Sequence, residues 1–291
     1  MLIRMIDGGT HWLAALAALA LLLHPVAIHA RINATAKPTA VRDPQLWPSG
    51  EPLRICIVPP TVPSAAAAAT AWNQSAERSI AAWQSVGANL TLKLESCGRG
   101  CEAESCTDPC KQPQQIRIGY VSDGSSRTLR GRQAMEAGND LKGCPTMRMS
   151  FNQLKKVGTD AERLGLFIHE FGHALGLMHE HQRARCPVDN RVQRAYAGLP
   201  IDSTQSIAPN IAQNFVDADY PVLPGMAFQS ESVMTYPVPP SLSNELATDP
   251  ALTACLAPAT VTSLSDHDGH VLRAAYSPSL AATRGRVPLA K

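Results

Sequence analysis

The chain has 291 residues, 45% of them hydrophobic and 17% charged, and a formal net charge of +2. That composition suits a folded chain with a core of its own and excludes a highly charged disordered one, and no concentrated basic face is present for nucleic acid. The 23 prolines and 19 glycines against 5% aromatics favour a loop-rich domain over a helical bundle.

The first thirty residues carry a positive start at Arg4, an apolar run from Trp12 to Leu23 and a break at Pro25. This is the pattern of a secretory signal peptide, residues 1–30, and the run is too short to span a bilayer, so no stable membrane insertion is expected. Cleavage suits Ala30, or Ala36 at the end of the small-x-small triplet Ala34-Thr35-Ala36. Residues 31–46 are polar and form a candidate short propeptide.

Further on, Leu53 to Val58 reads as a strand and Ser64 to Val86 as a long helix, with Trp72, Ile80 and Trp83 on helical spacing. Strands are expected at Leu90 to Leu94, Ile116 to Val121 and Met147 to Phe151. Thr159 and Glu162 form an S/T-x-x-E capping box, so a helix is predicted to begin at Asp160. Strand, helix, strands and helix describe an α+β fold with a helix packed on a mixed sheet. Beyond Pro187 the chain reads as mostly irregular, with helices near Ile211 and from Ser265 to Ala275. The tail, residues 277–291, lacks apolar periodicity and is expected to be mobile.

Cys56, Cys97, Cys101, Cys106, Cys110, Cys144, Cys186 and Cys255 make an even set of eight, which in an exported chain reads as disulfides. The cluster CGRGCEAESCTDPC invites a structural-zinc reading, but its C-x3-C-x4-C-x3-C spacing lacks the C-x2-C knuckles of such sites. A disulfide-tied loop suits it better. Asn33, Asn73 and Asn89 each begin an N-x-S/T triplet, a pattern that chance also explains.

The densest signal is HEFGHALGLMHEHQR, residues 169 to 183. On a helical wheel Leu164, Phe167, Ile168, Phe171 and Leu175 form one apolar stripe, while His169 and His173 lie about 140° and 180° from Leu164. Two imidazoles four residues apart can grip one metal ion, with Glu170 beside the first. In a continuous helix His179 would lie roughly 15 Å beyond His169 and out of reach. Gly176, three residues after His173, is where the chain can turn left-handed and end the helix, which brings His179 back as a third nitrogen ligand. A fourth position stays open for water, as a catalytic Zn2+ requires. The full H-E-x-x-H-x-x-G-x-x-H pattern arises by accident in roughly one chain in 100,000. His181 has no place among three histidine ligands and is expected at the surface, and Glu180 is expected to be a charge partner rather than a catalytic acid.

These residues resemble the signature of the metzincin zinc peptidases, whose second mark is a tight turn containing methionine. SVMTY, residues 232 to 236, supplies it, with Met234 as the turn methionine. Tyr236 stands where the astacin family carries a tyrosine that approaches the zinc, and Glu180 and Arg183 match its H-E-x-x-R continuation. Trp47, Asn214-Phe215 and LSDHD, residues 264 to 268, extend the likeness, so a peptidase domain is placed at residues 47–276. The sequence departs from the family pattern at ARCPVDNR after the motif, at Thr235 in place of a common histidine, in the lack of a cysteine after Tyr276, and in the lack of an inhibitory aspartate motif within 31–46.

The resemblance implies a metzincin, zincin-like fold of two subdomains. A twisted mixed sheet and the active-site helix face an irregular C-terminal subdomain across a cleft. It also implies a secreted, or in a Gram-negative bacterium periplasmic, zinc-dependent endopeptidase. One Zn2+ on His169, His173 and His179 would bring the pKa of water toward ~7 and polarise the scissile carbonyl. Glu170 is the expected general base, Tyr236 the expected oxyanion donor, and Gly176 and Met234 shape the site. Protein or peptide substrates and a monomer are expected. Two alternatives stand beside this reading: a metzincin of another branch, which would leave Tyr236 away from the metal, and a catalytically silent zinc-containing binding module. Glu170 speaks against the second, because a structural staple has no use for a general base.

Overall fold

β1 (Pro52–Ile57) alternates apolar and polar residues, and buries Leu53 and Ile55. In the computed structural model the described residues are 46–60, 63–97, 114–122, 125–135, 145–183, 193–194, 228–237, 256–257 and 259–278. The signal segment, the helix expected near Ile211, six of the eight cysteines and all but the start of the tail lie outside them.

Four further strands join β1: β2 (Thr91–Glu95), β3 (Ile116–Val121), β4 (Arg127–Thr128) and β5 (Met147–Ser150). The sheet runs in the order β2-β1-β3-β5-β4, parallel throughout except for the antiparallel pair β4 and β5. Parallel neighbours need a crossover, and α1 (Pro63–Ser85) makes the one from β1 to β2. β3, in the middle, is buried at all six positions, and therefore carries an apolar residue on both faces at Ile116, Ile118, Tyr120 and Val121.

Trp72, Ile80 and Trp83 of α1 reach the core, where Trp72 meets Tyr120 and Phe151 at centroid separations of 5.3 and 5.5 Å. Asn73 on the same helix accepts a hydrogen bond from the Tyr120 hydroxyl at 2.7 Å, so that amide serves packing. Cys56 pairs with Cys97, which fastens β1 to the segment after β2 and bears out a disulfide for the first cysteine of the cluster.

Two local features depart from the sequence expectation. Phe151 does not end a strand: Ser150 caps a short helix, α2 (Phe151–Lys156), by accepting from the Gln153 amide. β4 and the 3₁₀ turn Gly131–Met135 after it were not expected, because two residues are too few to show alternation. β4 exists through its pairing, Arg127 with Arg148 and Thr128 with Met147.

Candidate metal centre and active site

The histidine helix, α3 (Asp160–Ala174), starts as its sequence indicates: Thr159 Oγ1 accepts from the Glu162 amide at 3.1 Å, and Glu162 accepts from the Thr159 amide at 3.0 Å. Gly176, at φ 96°, ends it. The Gly176 and Leu177 amides donate to the carbonyls of His173 and Gly172 at 2.8 and 3.0 Å, the paired bonds of a left-handed helix stop. Two more terminal carbonyls take side-chain donors, Ala174 from the Trp47 indole and Leu175 from the Tyr276 hydroxyl, at 2.8 and 2.7 Å. The turn that returns the chain toward α3 is thus tied down by residues far from it in sequence on both sides, Trp47 and Tyr276.

Past that turn His179 lies against His173, with their Nε2 atoms 3.1 Å apart. The candidate ligand atoms of His169, His173 and His179 all fall within 4.8 Å of one another. Their orientation is set by backbone: His169 Nδ1 meets the Val233 carbonyl and His173 Nδ1 the Leu177 carbonyl, both at 2.8 Å. A carbonyl only accepts, so Nδ1 carries the proton in both rings and Nε2 presents a lone pair. Nitrogens on one tetrahedral zinc, each ~2.0–2.1 Å from it, stand ~3.3 Å apart. The 3.1 Å between His173 Nε2 and His179 Nε2 is close to that spacing, so the donor set fits a zinc ion. Burial, then the neighbouring His169 and Arg130, push the His173 pKa down to about 3, so a proton does not compete for that ring near neutral pH.

Glu170, one residue from His169, is buried, and its Oε2 accepts from Thr128 Oγ1 at 2.6 Å. Burial raises its pKa, while His169 and that hydroxyl act in the opposite direction. Thr128 is a site residue that sequence reasoning missed. Its only mark was a position on a strand too short to recognise.

Ser232 to Tyr236 form a tight turn beneath the cluster, with the Thr235 amide donating to the Ser232 carbonyl at 3.0 Å. Met234 is buried against α3, and a Cβ placed on Gly172 would collide with its sulfur. The glycine is what lets turn and helix approach so closely. Thr235, where the resemblance led one to look for histidine, donates its hydroxyl to the Gln229 carbonyl at 3.0 Å and closes the loop. The Tyr236 ring lies 4.2 Å from the His179 ring and 5.9 Å from that of His169. Burial, followed by the nearby Glu170 carboxylate, raises its phenol pKa. All the predicted site residues, Glu170, Tyr236, the three histidines, Gly176 and Met234, are thus brought to one place.

His181 corrects the expectation. It is 1% exposed rather than at the surface, and its ring lies parallel to that of His179 at 5.3 Å and near Tyr236 at 5.4 Å. The four-residue helix Glu180–Arg183, α4, turns it inward once the chain has doubled back, which a linear motif does not reveal. Glu180 is also buried, and its Oε1 faces His267 Nε2 at 3.2 Å, as suits a charge partner.

Three histidines able to hold a metal ion thus stand beside a buried carboxyl group on an α+β scaffold. Residues 133–251 match the family model described as Astacin, a peptidase family. Among solved structures, one of myroilysin superposes with a TM-score of 0.53 at 22% identity, covering 82% of this chain and 98% of that one. A crystal structure of myroilysin gives a TM-score of 0.49 at 23% identity, covering 81% and 87%. No curated protein sequence matches significantly. The chain thus resembles the astacin peptidases over residues 133–251 and shares its fold with myroilysin.

Proposed function

We propose that the chain is a secreted zinc-dependent endopeptidase, with His169, His173 and His179 as the metal ligands, Glu170 as general base and Tyr236 as oxyanion donor. The observation that carries the reading is the convergence of three imidazole nitrogens beside a buried carboxylate. Zinc, when bound there, supplies Lewis acidity that acidifies water and polarises a peptide carbonyl. The residues do the rest. Thr128 holds Oε2 of Glu170, which aims Oε1 as the oxygen that takes a proton from water and returns it to the departing amine. Burial favours the protonated form of Glu170, which makes its carboxylate a stronger base toward the proton of water. The Tyr236 hydroxyl, kept protonated by burial beside the histidines, can donate to the oxygen that becomes charged. Among the described residues β4, which carries Thr128 beside Glu170, is a sheet edge along which an extended peptide can lie. Export rests on the N-terminal pattern and on the Cys56–Cys97 disulfide.

The test is digestion of an unstructured protein by residues 31 to 291 and by Glu170→Ala, with zinc measured in both. Cleavage by the parent, equal zinc in the two proteins and a loss of at least ~10³-fold in kcat/KM in the variant are expected. Zinc in both with cleavage by neither would overturn the peptidase assignment.

A further inference from the structure

Asp268 is buried at the start of α5 (Asp266–Ala275), 2% exposed, in a part of the chain that the proposed chemistry does not use. Its two oxygens reach two elements at once. Oδ2 accepts from the Ser265 amide and hydroxyl at 2.9 and 2.8 Å, the capping box of α5, and from the Val233 amide at 3.1 Å. Oδ1 accepts from the Ser232 hydroxyl at 2.5 Å, and that hydroxyl in turn accepts from the Met234 amide at 3.1 Å. One carboxylate thus holds the donor edge of the methionine turn. The opposite edge of the same turn faces the histidines: the Val233 carbonyl takes His169 Nδ1 at 2.8 Å, and the Met234 carbonyl takes the amide of Glu180, the residue after His179, at 2.9 Å.

We infer that Asp268 is a positioning residue for the metal centre, acting through the Val233 and Met234 peptides to fix the tautomer and aim of His169 and the seat of His179. A helix cap needs only the Ser265 contacts, and a carboxylate in this place does more than cap. The Met234 N–H and the Val233 carbonyl are one peptide group, so an ionised acceptor on the Ser232 hydroxyl strengthens, through the Met234 N–H that this hydroxyl accepts, the bond that the Val233 carbonyl makes to His169, because linked hydrogen bonds polarise one another. Such partners behind metal-ligating histidines are worth about 10- to 100-fold in metal affinity. The inference rests on the three histidines being the zinc ligands, as proposed above.

The experiment compares Asp268→Asn and Ser265→Ala with the parent chain. Asp268→Asn leaves either the Ser232 hydroxyl or the Val233 amide without its acceptor, while Ser265→Ala weakens the α5 cap and spares the turn. Both variants are expected to lower Tm. Zinc affinity by chelator competition should fall about 10-fold or more in Asp268→Asn alone. Equal zinc affinity in Asp268→Asn and the parent would overturn the inference. Should Asp268→Asn fail to fold, Ser232→Ala replaces it, with a smaller loss of affinity expected and parental affinity as the contrary result. In metal-free protein the His169 Nδ1 proton should be seen by NMR in the parent and Ser265→Ala, and broadened by exchange in Asp268→Asn. That reading survives even if the parent binds no zinc, in which case the function assignment fails while the link from Asp268 to His169 is judged by itself. An unchanged His169 proton in Asp268→Asn would overturn the link.

Discussion

The sheet and the candidate metal centre are built from the same chain by different means. β3 and its neighbours are held by apolar burial shared over many side chains, including Ile55, Ile116, Ile118, Met147 and Met149. Each contributes through surface removed from water, and a change of one methylene is absorbed by the rest. The centre is held instead by few directional bonds, each with one partner: Val233 for His169, Leu177 for His173 and Thr128 for Glu170. Stability is distributed in the first region, whereas the geometry of the second depends on single atoms.

That contrast can be broken or sharpened by substitution. The largest effect is the loss of turnover in Glu170→Ala described above, with Tm near that of the parent or higher, because a buried carboxyl whose pKa is raised costs stability when ionised. Next is Tyr236→Phe, which should lower kcat by about 10²-fold with zinc content unchanged, since one oxyanion donor is removed and no ligand is. A parental kcat would place Tyr236 outside the chemistry and favour another metzincin branch. The smallest is Ile118→Val in the buried centre of β3, expected to cost about 1 kcal/mol in urea denaturation and to leave kcat/KM at the parental value. A drop in kcat/KM there would show that the two regions are coupled more tightly than their bonding suggests.

Much of both regions was legible in the sequence, for reasons that follow their construction. Alternation marked β1, β2 and β3 to within about one residue, and the Thr159 to Glu162 box marked the start of α3, because both signals are local. The five motif residues were legible because Gly176 both stops the helix and sets the return to His179. What escaped depends on contacts distant in sequence. Thr128 reaches Glu170 across 42 positions from a two-residue strand. His181 is buried by the fold of the returning chain, and Asp268 is marked in the sequence only as the last residue of LSDHD, with nothing local to show the turn that it holds.

The central claim is that the metal sits on three histidines rather than among the cysteines. Zinc K-edge X-ray absorption of the zinc-loaded protein tests it most directly. The account predicts three imidazole shells with nitrogen at ~2.0–2.1 Å and no sulfur scatterer. Sulfur at ~2.3 Å would place the ion in the cysteine cluster and contradict the assignment.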